Sequence, residues 1–235
     1  MLKEWDARRE IVIPGDTEAT LAFAVENWVH SATRAIQQHG RFAVALSGGS
    51  TPKAIYKQLA NKPIDWSKVF LFWSDERDVP PDHPDSNYKM AMDSGGFSRV
   101  PPAQIFRMKE AEGYEDTIKR VVGPRLFDLV MLGVGEDGHT ASLFPKTEAI
   151  NENNKLVVKN HVPEKNTWRL TFTFPCINQS ERAVIYAIGE SKQSIVPLVL
   201  EAAIKSSFPA SSVGTPERKA LWILDTAAAR LLSCN

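Results

Sequence analysis

The sequence predicts an α/β protein in which helices cover both faces of a mostly parallel β-sheet. Short apolar runs, typical of buried strands, alternate along the chain with segments whose apolar residues recur at helical spacing. The strand candidates are residues 42–46, 69–73, 127–132, 168–174, 183–188 and 220–224. Because parallel neighbours require a crossover between them, this alternation favours a three-layer, Rossmann-like αβα arrangement.

The clearest helix is predicted for residues 17–39. Asp16 precedes it as an N-cap and Gly40 follows it as a helix stop. Its apolar residues recur at helical spacing, at Leu21, Val25, Trp28, Val29, Ala32 and Ile36. A second helical pattern covers residues 191–205. Since no repeat or low-complexity linker divides the chain, we expect residues 1–235 to form a single domain.

The composition limits the class of protein. With 235 residues, 43% of them hydrophobic, the chain can bury a substantial core, and its 28 basic and 28 acidic residues give no net field to attract nucleic acid or a membrane. Cys176 and Cys234 lack a CxxC spacing, which indicates free thiols in a reducing compartment. Because no apolar run approaches the ~20 residues of a membrane span and the N-terminus lacks a signal-peptide core, we expect a soluble cytoplasmic protein. The oligomeric state is left open, with a monomer preferred.

The most informative segment is 127–145, where an apolar run ends in a glycine-broken loop that carries Asp137 and His139. An α/β sheet binds its ligands beyond the carboxyl ends of its strands, so we predict that His139 is a catalytic base. Two other interpretations are weaker. The glycines at 133, 135 and 138 fit the GxGxxG pattern, but that fingerprint normally opens the first βα unit, and we expect no nucleotide cofactor. In the second interpretation, His139 only caps the loop and is not a catalytic base.

A second candidate site follows the strand at 42–46. The chain turns through a glycine- and hydroxyl-rich loop into a helix that we predict to be capped by Thr51, with Pro52 at its first position. Loop amides and the positive end of the helix suit a phosphate. The residues of this predicted anion loop are Ser47, Gly48, Gly49, Ser50 and Thr51. The alternative is an ordinary glycine-rich βα turn.

Several charged residues and one loop complete the set of candidate site residues. Asp75, Glu76 and Arg77 follow the strand at 69–73; such a run is often a solvated loop, but at this edge of the sheet Arg77 can support an oxyanion and Asp75 can orient a base. The loop residues His83, Ser86 and Asn87 are candidates for a wall of the site. The positions of Arg169 and Lys192 are explained together if both bind a phosphate that the anion loop also binds. Taken singly, each would be an ordinary surface charge. No metal site is expected, because His30, His39, His83 and His161 show no ligand spacing.

Together, these motifs resemble those of the 6-phosphogluconolactonase family, whose superfamily also holds glucosamine-6-phosphate deaminase and ribose-5-phosphate isomerase. The shared motifs are SGGSTP at 47–52, SDER at 74–77, SNY at 86–88 and GVGEDGHTASLFP at 133–145, with the spaced Arg169 and Lys192. The resemblance implies a NagB/RpiA-like fold and hydrolysis of a small-molecule sugar-phosphate lactone without metal or organic cofactor.

The resemblance also implies a role for each candidate residue. His139 would activate a water, Arg77 would support the oxyanion, and Asp75 or Asp137 would orient the imidazole or the arginine. The substrate phosphate would be held by Ser47, Gly48, Gly49, Ser50, Thr51, Arg169 and Lys192.

Two positions depart from related patterns. Lys146 stands where the lactonase pattern continues with glycine, which leaves the adjoining loop uncertain. Phe144 stands where the deaminase pattern DGHIAFNEP carries its glutamate. Because deamination uses that carboxylate for proton transfer, the sequence favours the lactonase. A non-catalytic sugar-phosphate sensor is the third possibility, and the presence of His139, Asp75 and Arg77 together argues against it.

Overall fold

The structure is a computed structural model that describes residues 2–202 and 207–233. Cys176 is buried and forms no disulfide, whereas Cys234 and part of the helix predicted at 191–205 lie outside the described residues. Burial raises the pKa of the Cys176 thiol well above its usual value. This cysteine is therefore a packing residue.

Most strands of the described ranges belong to one sheet. The strands are β1 (Lys3–Asp6), β2 (Arg9–Val12), β3 (Phe42–Leu46), β4 (Val69–Trp73), β5 (Asp75–Arg77), β6 (Leu129–Gly133), β7 (Val157–Val162), β8 (Thr167–Phe172), β9 (Ala183–Ala187) and β10 (Ala220–Leu224). Seven of them form a sheet in the order β1-β2-β10-β9-β6-β3-β4, parallel except for the β1–β2 pair. The strand predicted at 127–132 begins two residues later than expected.

Helices cover both faces of this sheet. They are α1 (Thr17–His39), α2 (Ser50–Leu59), α3 (Asn87–Asp93), α4 (Ala111–Val121), α5 (Phe174–Gln179) and α6 (Ile195–Leu200). The first three share a core with Val44 and Leu46 on one face of β3, and the last three share a core with Ala43 and Ala45 on the other. The predicted three-layer α/β fold with a mostly parallel sheet is confirmed.

The run predicted as a strand at 168–174 does not join the main sheet. It forms β8, which pairs antiparallel with β5 and β7 in a separate three-stranded sheet. The pairing occurs because the chain continues past β4 as the short strand β5 instead of entering a solvated loop. The loop interpretation of residues 75–77 is therefore wrong.

The helix boundaries follow from local chemistry. Asp16 caps α1 by accepting from the Ala19 amide at 2.9 Å, as predicted, and Gly40 ends α1 in the left-handed region at φ 83°. The predicted Thr51 cap is wrong: α2 begins at Ser50, because Gly49 takes a φ of 104° that turns the chain earlier.

The helix predicted from residue 191 is shorter than its pattern. Residues 190–192 form a single 3₁₀ turn, and α6 begins only at Ile195. Pro197 is tolerated only within the first turn of a helix, because it lacks an amide hydrogen and clashes with the preceding turn. The position of Pro197 thus favours a helix start close to residue 195.

We expect Asp225 to stabilise the turn that carries Lys192. Its buried carboxylate accepts from the Gly189 amide at 3.0 Å, the Ala228 amide at 2.8 Å and the Thr17 hydroxyl at 2.7 Å. Asp225→Asn replaces an acceptor with a donor that faces these donors, so it should lower the free energy of unfolding by about 2 to 4 kcal/mol in urea titrations.

The matched control for Asp225→Asn is Asp16→Asn. Asparagine caps helices about as well as aspartate, so this exposed exchange should change the free energy of unfolding by less than about 0.5 kcal/mol. If the two variants changed the free energy of unfolding equally, the buried hydrogen bonds of Asp225 would stabilise the protein no more than the exposed cap does.

Candidate functional site

A cavity of about 250 Å³ lies at the carboxyl ends of β3, β6 and β9. It is lined by the loop after β3 and the first residues of α2 (Ser47, Gly48, Gly49, Ser50, Thr51, Pro52), by Asp75, Arg77 and Asn87, by the end of β6 and the loop after it (Gly133, Val134, Gly135, His139, Ala141), and by Tyr186 and Lys192. The structure thus brings most of the predicted site residues to one place. Asp137 and Arg169 lie next to lining residues without lining the cavity themselves.

His139 is held at one ring nitrogen by its sequence neighbour Asp137. The imidazole Nδ1 lies 2.5 Å from Asp137 Oδ1, which also accepts from the His139 amide at 3.1 Å. A side chain at position 135 would collide with the imidazole, so Gly135 makes room for this arrangement. Burial raises the pKa of Asp137, but the hydrogen bonds and charge of His139 outweigh it and hold that pKa below its usual value. Asp137 is therefore an ionised acceptor.

The imidazole is also fixed through its face. Phe144 stacks on it with 4.1 Å between ring centroids and 24° between ring planes. Phe144 is 5% exposed, whereas the His139 side chain keeps about 25% of its surface open. In the sequence, Phe144 is notable only as the absence of a glutamate. In the structure it supports the histidine. Among the residues that the structure describes, no carboxylate bonds to the other ring nitrogen, Nε2.

In the described part of the chain, Asp75 forms no hydrogen bond or ion pair with His139. Its carboxylate accepts from Ser142 Oγ at 2.7 Å and from the Asn87 side-chain amide at 3.2 Å. Of the two aspartates proposed to orient the imidazole, the structure therefore places Asp137 there. Asp75 instead links the His139 loop to the loop that begins α3.

Glu76 is a structural residue whose role the sequence analysis missed. It is 1% exposed and accepts from the Arg77, Asn87 and Tyr88 amides at 2.7 to 2.8 Å and from Ser86 Oγ at 3.0 Å. These bonds fasten the start of α3 to β5 and set Asn87 against the cavity. The only signal was the nearby SN pair at 86–87, since a carboxylate often caps such a helix start. His83 is exposed and does not line the cavity.

The anion loop owes its shape to two close packing partners. A side chain at position 48 would collide with the Asn87 side chain, so this position requires glycine. The Ser47 amide donates to the Tyr56 hydroxyl at 2.9 Å, so that amide is already used inside the protein. The amides of Ser50 and Thr51 in the first turn of α2 have no intrahelical acceptor and suit an anion from the cavity.

Two arginines lie side by side at the edge of the site. Arg77 and Arg169 are register partners across β5 and β8, and Arg77 donates to the Asp85 carbonyl at 2.6 Å. Burial lowers the pKa of Arg169, and the charge of Arg77 lowers it further. The Arg169 Nε is buried without a partner among the described residues. Of this pair only Arg77 lines the cavity, with Lys192 as a second cation.

Neither a metal cluster nor a membrane span is evident in the part of the chain that the structure describes. Within residues 2–202 and 207–233, no group of three or more His, Cys, Asp or Glu side chains is arranged to hold a metal ion. No helix in those ranges is both long and apolar enough to cross a bilayer.

These features define an α/β protein in which a glycine- and hydroxyl-rich loop and a carboxylate-paired histidine line one cavity. The family model for glucosamine-6-phosphate isomerases and 6-phosphogluconolactonase matches residues 15–222. The chain belongs to this family.

Individual relatives agree with that membership. A 6-phosphogluconolactonase from Chlamydia muridarum is 43% identical over 233 residues, which cover 96% of this chain and 91% of the relative. The solved 6-phosphogluconolactonase of Trypanosoma brucei is 26% identical, with a TM-score of 0.81 over 95% of this chain and 98% of its own. A monomeric glucosamine-6-phosphate deaminase has a TM-score of 0.79 at 20% identity, over 94% and 99% of the two chains, and shows the fold alone.

We predict that the Asp137 contact selects one tautomer of neutral His139. An ionised carboxylate can only accept, so the proton should lie on Nδ1 and leave Nε2 free. In ¹⁵N NMR spectra recorded at alkaline pH, the wild type should show the Nδ1-protonated form, and Asp137→Asn should populate the other tautomer. Asp75→Asn is the control and should leave the His139 shifts unchanged, because Asp75 bonds to Ser142 and Asn87. A mixed tautomer in the wild type would contradict the assignment.

Proposed function

We propose that this protein is a 6-phosphogluconolactonase that hydrolyses 6-phospho-D-glucono-1,5-lactone to 6-phosphogluconate in the oxidative pentose phosphate pathway. The observation that carries the proposal is that His139, which is paired with Asp137, lines the same cavity as the anion loop. The 43% identity to a lactonase over nearly the whole chain supports it.

The phosphate anchors one end of the substrate. The amides and hydroxyls of Ser50 and Thr51 at the positive end of α2 bind its oxygens, together with the ammonium of Lys192, which lines the same cavity. Arg169 adds positive charge from its half-buried position beside Arg77. Since the anchor is remote from the bond to be broken, its binding energy orients the lactone.

Hydrolysis then needs a base and support for an oxyanion. Neutral His139 takes a proton from water at Nε2 while the hydroxide adds to the lactone carbonyl carbon. The negatively charged Asp137 stabilises the imidazolium that forms, and Arg77 stabilises the oxyanion. When the tetrahedral intermediate collapses, the ring oxygen leaves and receives the proton from His139. The product is the open-chain acid, and His139 is neutral again.

The deaminase reaction is the main competing function, because the family includes both activities. The deaminase pattern has a glutamate where this chain has Phe144, and the Phe144 ring is packed against His139. A phenyl ring cannot transfer protons, so the isomerising steps lack their second acid–base group.

A cytoplasmic location, a monomeric state and a single domain over residues 1–235 remain predictions.

A paired assay tests the proposed reaction. We expect the protein to hydrolyse 6-phosphogluconolactone, generated by glucose-6-phosphate dehydrogenase and corrected for spontaneous hydrolysis, and to release no ammonia from glucosamine 6-phosphate. Glucosamine 6-phosphate should still inhibit weakly, because it offers the same phosphate to the anion loop. Enzyme-dependent ammonia release faster than lactone hydrolysis would replace the lactonase by the deaminase, and activity on neither substrate would favour a sensor.

The proposed base is tested by His139→Ala. Turnover should fall on the order of 10² to 10⁴, the usual contribution of a general base, while 6-phosphogluconate still binds. In the wild type the rate should decrease as the pH is lowered, because protonated His139 cannot accept a proton. His30→Ala, on the exposed side of α1, is the control and should keep full turnover. Near-normal turnover by folded His139→Ala would remove this residue from the mechanism.

A further inference from the structure

The hydroxyl of Tyr186 is a buried polar group that the mechanism above does not use. Tyr186 is 3% exposed, and its hydroxyl has no hydrogen-bond partner among the described residues. Buried hydroxyls are nearly always paired, because losing water without a replacement is costly. Since Tyr186 also lines the cavity, a bound molecule is the natural source of the missing partner.

The space next to Tyr186 is open because its strand neighbour is a glycine. Gly133 on β6 is the register partner of Tyr186 on β9, so the two positions face the same side of the sheet. A Cβ at position 133 would have no other heavy atom within 4 Å. Both residues line the cavity, which therefore continues along the sheet beside the Tyr186 ring.

This part of the cavity lies on the phosphate side of the site. Tyr186 shares its core cluster with Leu46 and Tyr56, on the face of the sheet that α2 covers. Burial raises the pKa of Tyr56, and the neighbouring Tyr186 phenol adds to that effect, so the two phenols are close. The Tyr56 hydroxyl is fully used, accepting from the Ser47 amide and donating to the Ser47 carbonyl at 2.8 Å. Tyr186 is a second phenol on this side, it lines the same cavity as the anion loop, and its hydroxyl has no partner within residues 2–202 and 207–233.

We propose that Tyr186 is a ligand-binding residue whose hydroxyl donates a hydrogen bond to a phosphate oxygen of the ligand, in the space that Gly133 leaves open. The inference rests on the proposed function, which places the phosphate of the substrate at this loop. Burial raises the pKa of Tyr186, so the hydroxyl keeps its proton at neutral pH and serves as a donor.

Calorimetric titration with inorganic phosphate and with 6-phosphogluconate tests the contact. Tyr186→Phe should weaken the binding of both ligands about 10-fold. This is the effect expected for the loss of a hydrogen bond to a charged group, at the low end of its range. The midpoint of thermal unfolding without ligand should stay the same or rise, because the substitution removes an unpaired hydroxyl. Tyr56→Phe is the matched control: it removes a paired hydroxyl under the same loop and should lower that midpoint.

Gly133→Ala examines the open space independently. An added methyl group meets no protein atom, so the variant should fold with an unchanged unfolding midpoint. The methyl group would occupy the space beside Tyr186, and both ligands should bind at least about 10-fold more weakly.

The outcomes separate the inference from the proposed function. Wild-type affinity of Tyr186→Phe for both ligands would overturn the Tyr186 contact, and so would weaker binding of 6-phosphogluconate alone, which would place the contact on the sugar. Lys192→Ala reports on the phosphate site itself, because Lys192 lines the cavity. If Lys192→Ala binds phosphate as the wild type does, or if the wild type binds neither ligand, the phosphate site fails and the inference fails with it.

Discussion

The functional site depends on the parallel alignment of β3, β6 and β9. Ala45 pairs with Val130, and Gly133 pairs with Tyr186, so the three strands end at the same edge of the sheet. The anion loop, the His139 loop and the turn that carries Lys192 therefore leave the sheet side by side. A shift of one residue along any of these strands would move its loop by about 3.3 Å and turn its side chains to the opposite face. Such a shift exceeds what a hydrogen bond tolerates.

Glycines, which have no side chain, shape the site as much as its polar groups do. Gly135 leaves room for the imidazole of His139, and Gly48 leaves room for the side chain of Asn87. Around them, buried carboxylates are saturated with donors: Glu76 alone accepts four hydrogen bonds. Because a buried carboxylate without partners is strongly unfavourable, these contacts hold each loop in one arrangement. The site is thus organised before any ligand arrives.

The features that the sequence predicted well are encoded locally. The limits of α1 follow from a capping aspartate, a helical apolar pattern and a glycine stop, all within one short stretch. The glycine- and hydroxyl-rich turn after β3 and the loop that carries Asp137 and His139 likewise follow directly after apolar runs. The start of α2 was misplaced because the predicted Thr51 cap competes with the positive φ of Gly49, which a residue pattern does not reveal.

By itself, the sequence determined the inventory of chemical groups and the order in which strands deliver them to one edge of the sheet. The tertiary structure alone decided which groups meet. Asp75 accepts a hydrogen bond from Ser142, 67 positions away, and Asp137 lies against the His139 ring. From the sequence, either aspartate was a candidate for the contact with the imidazole. The tertiary structure also decided that the Tyr56 hydroxyl is paired, whereas the Tyr186 hydroxyl has no partner among the described residues. The reason is that pairing depends on strand register and burial, which arise from contacts between distant segments and leave no local pattern.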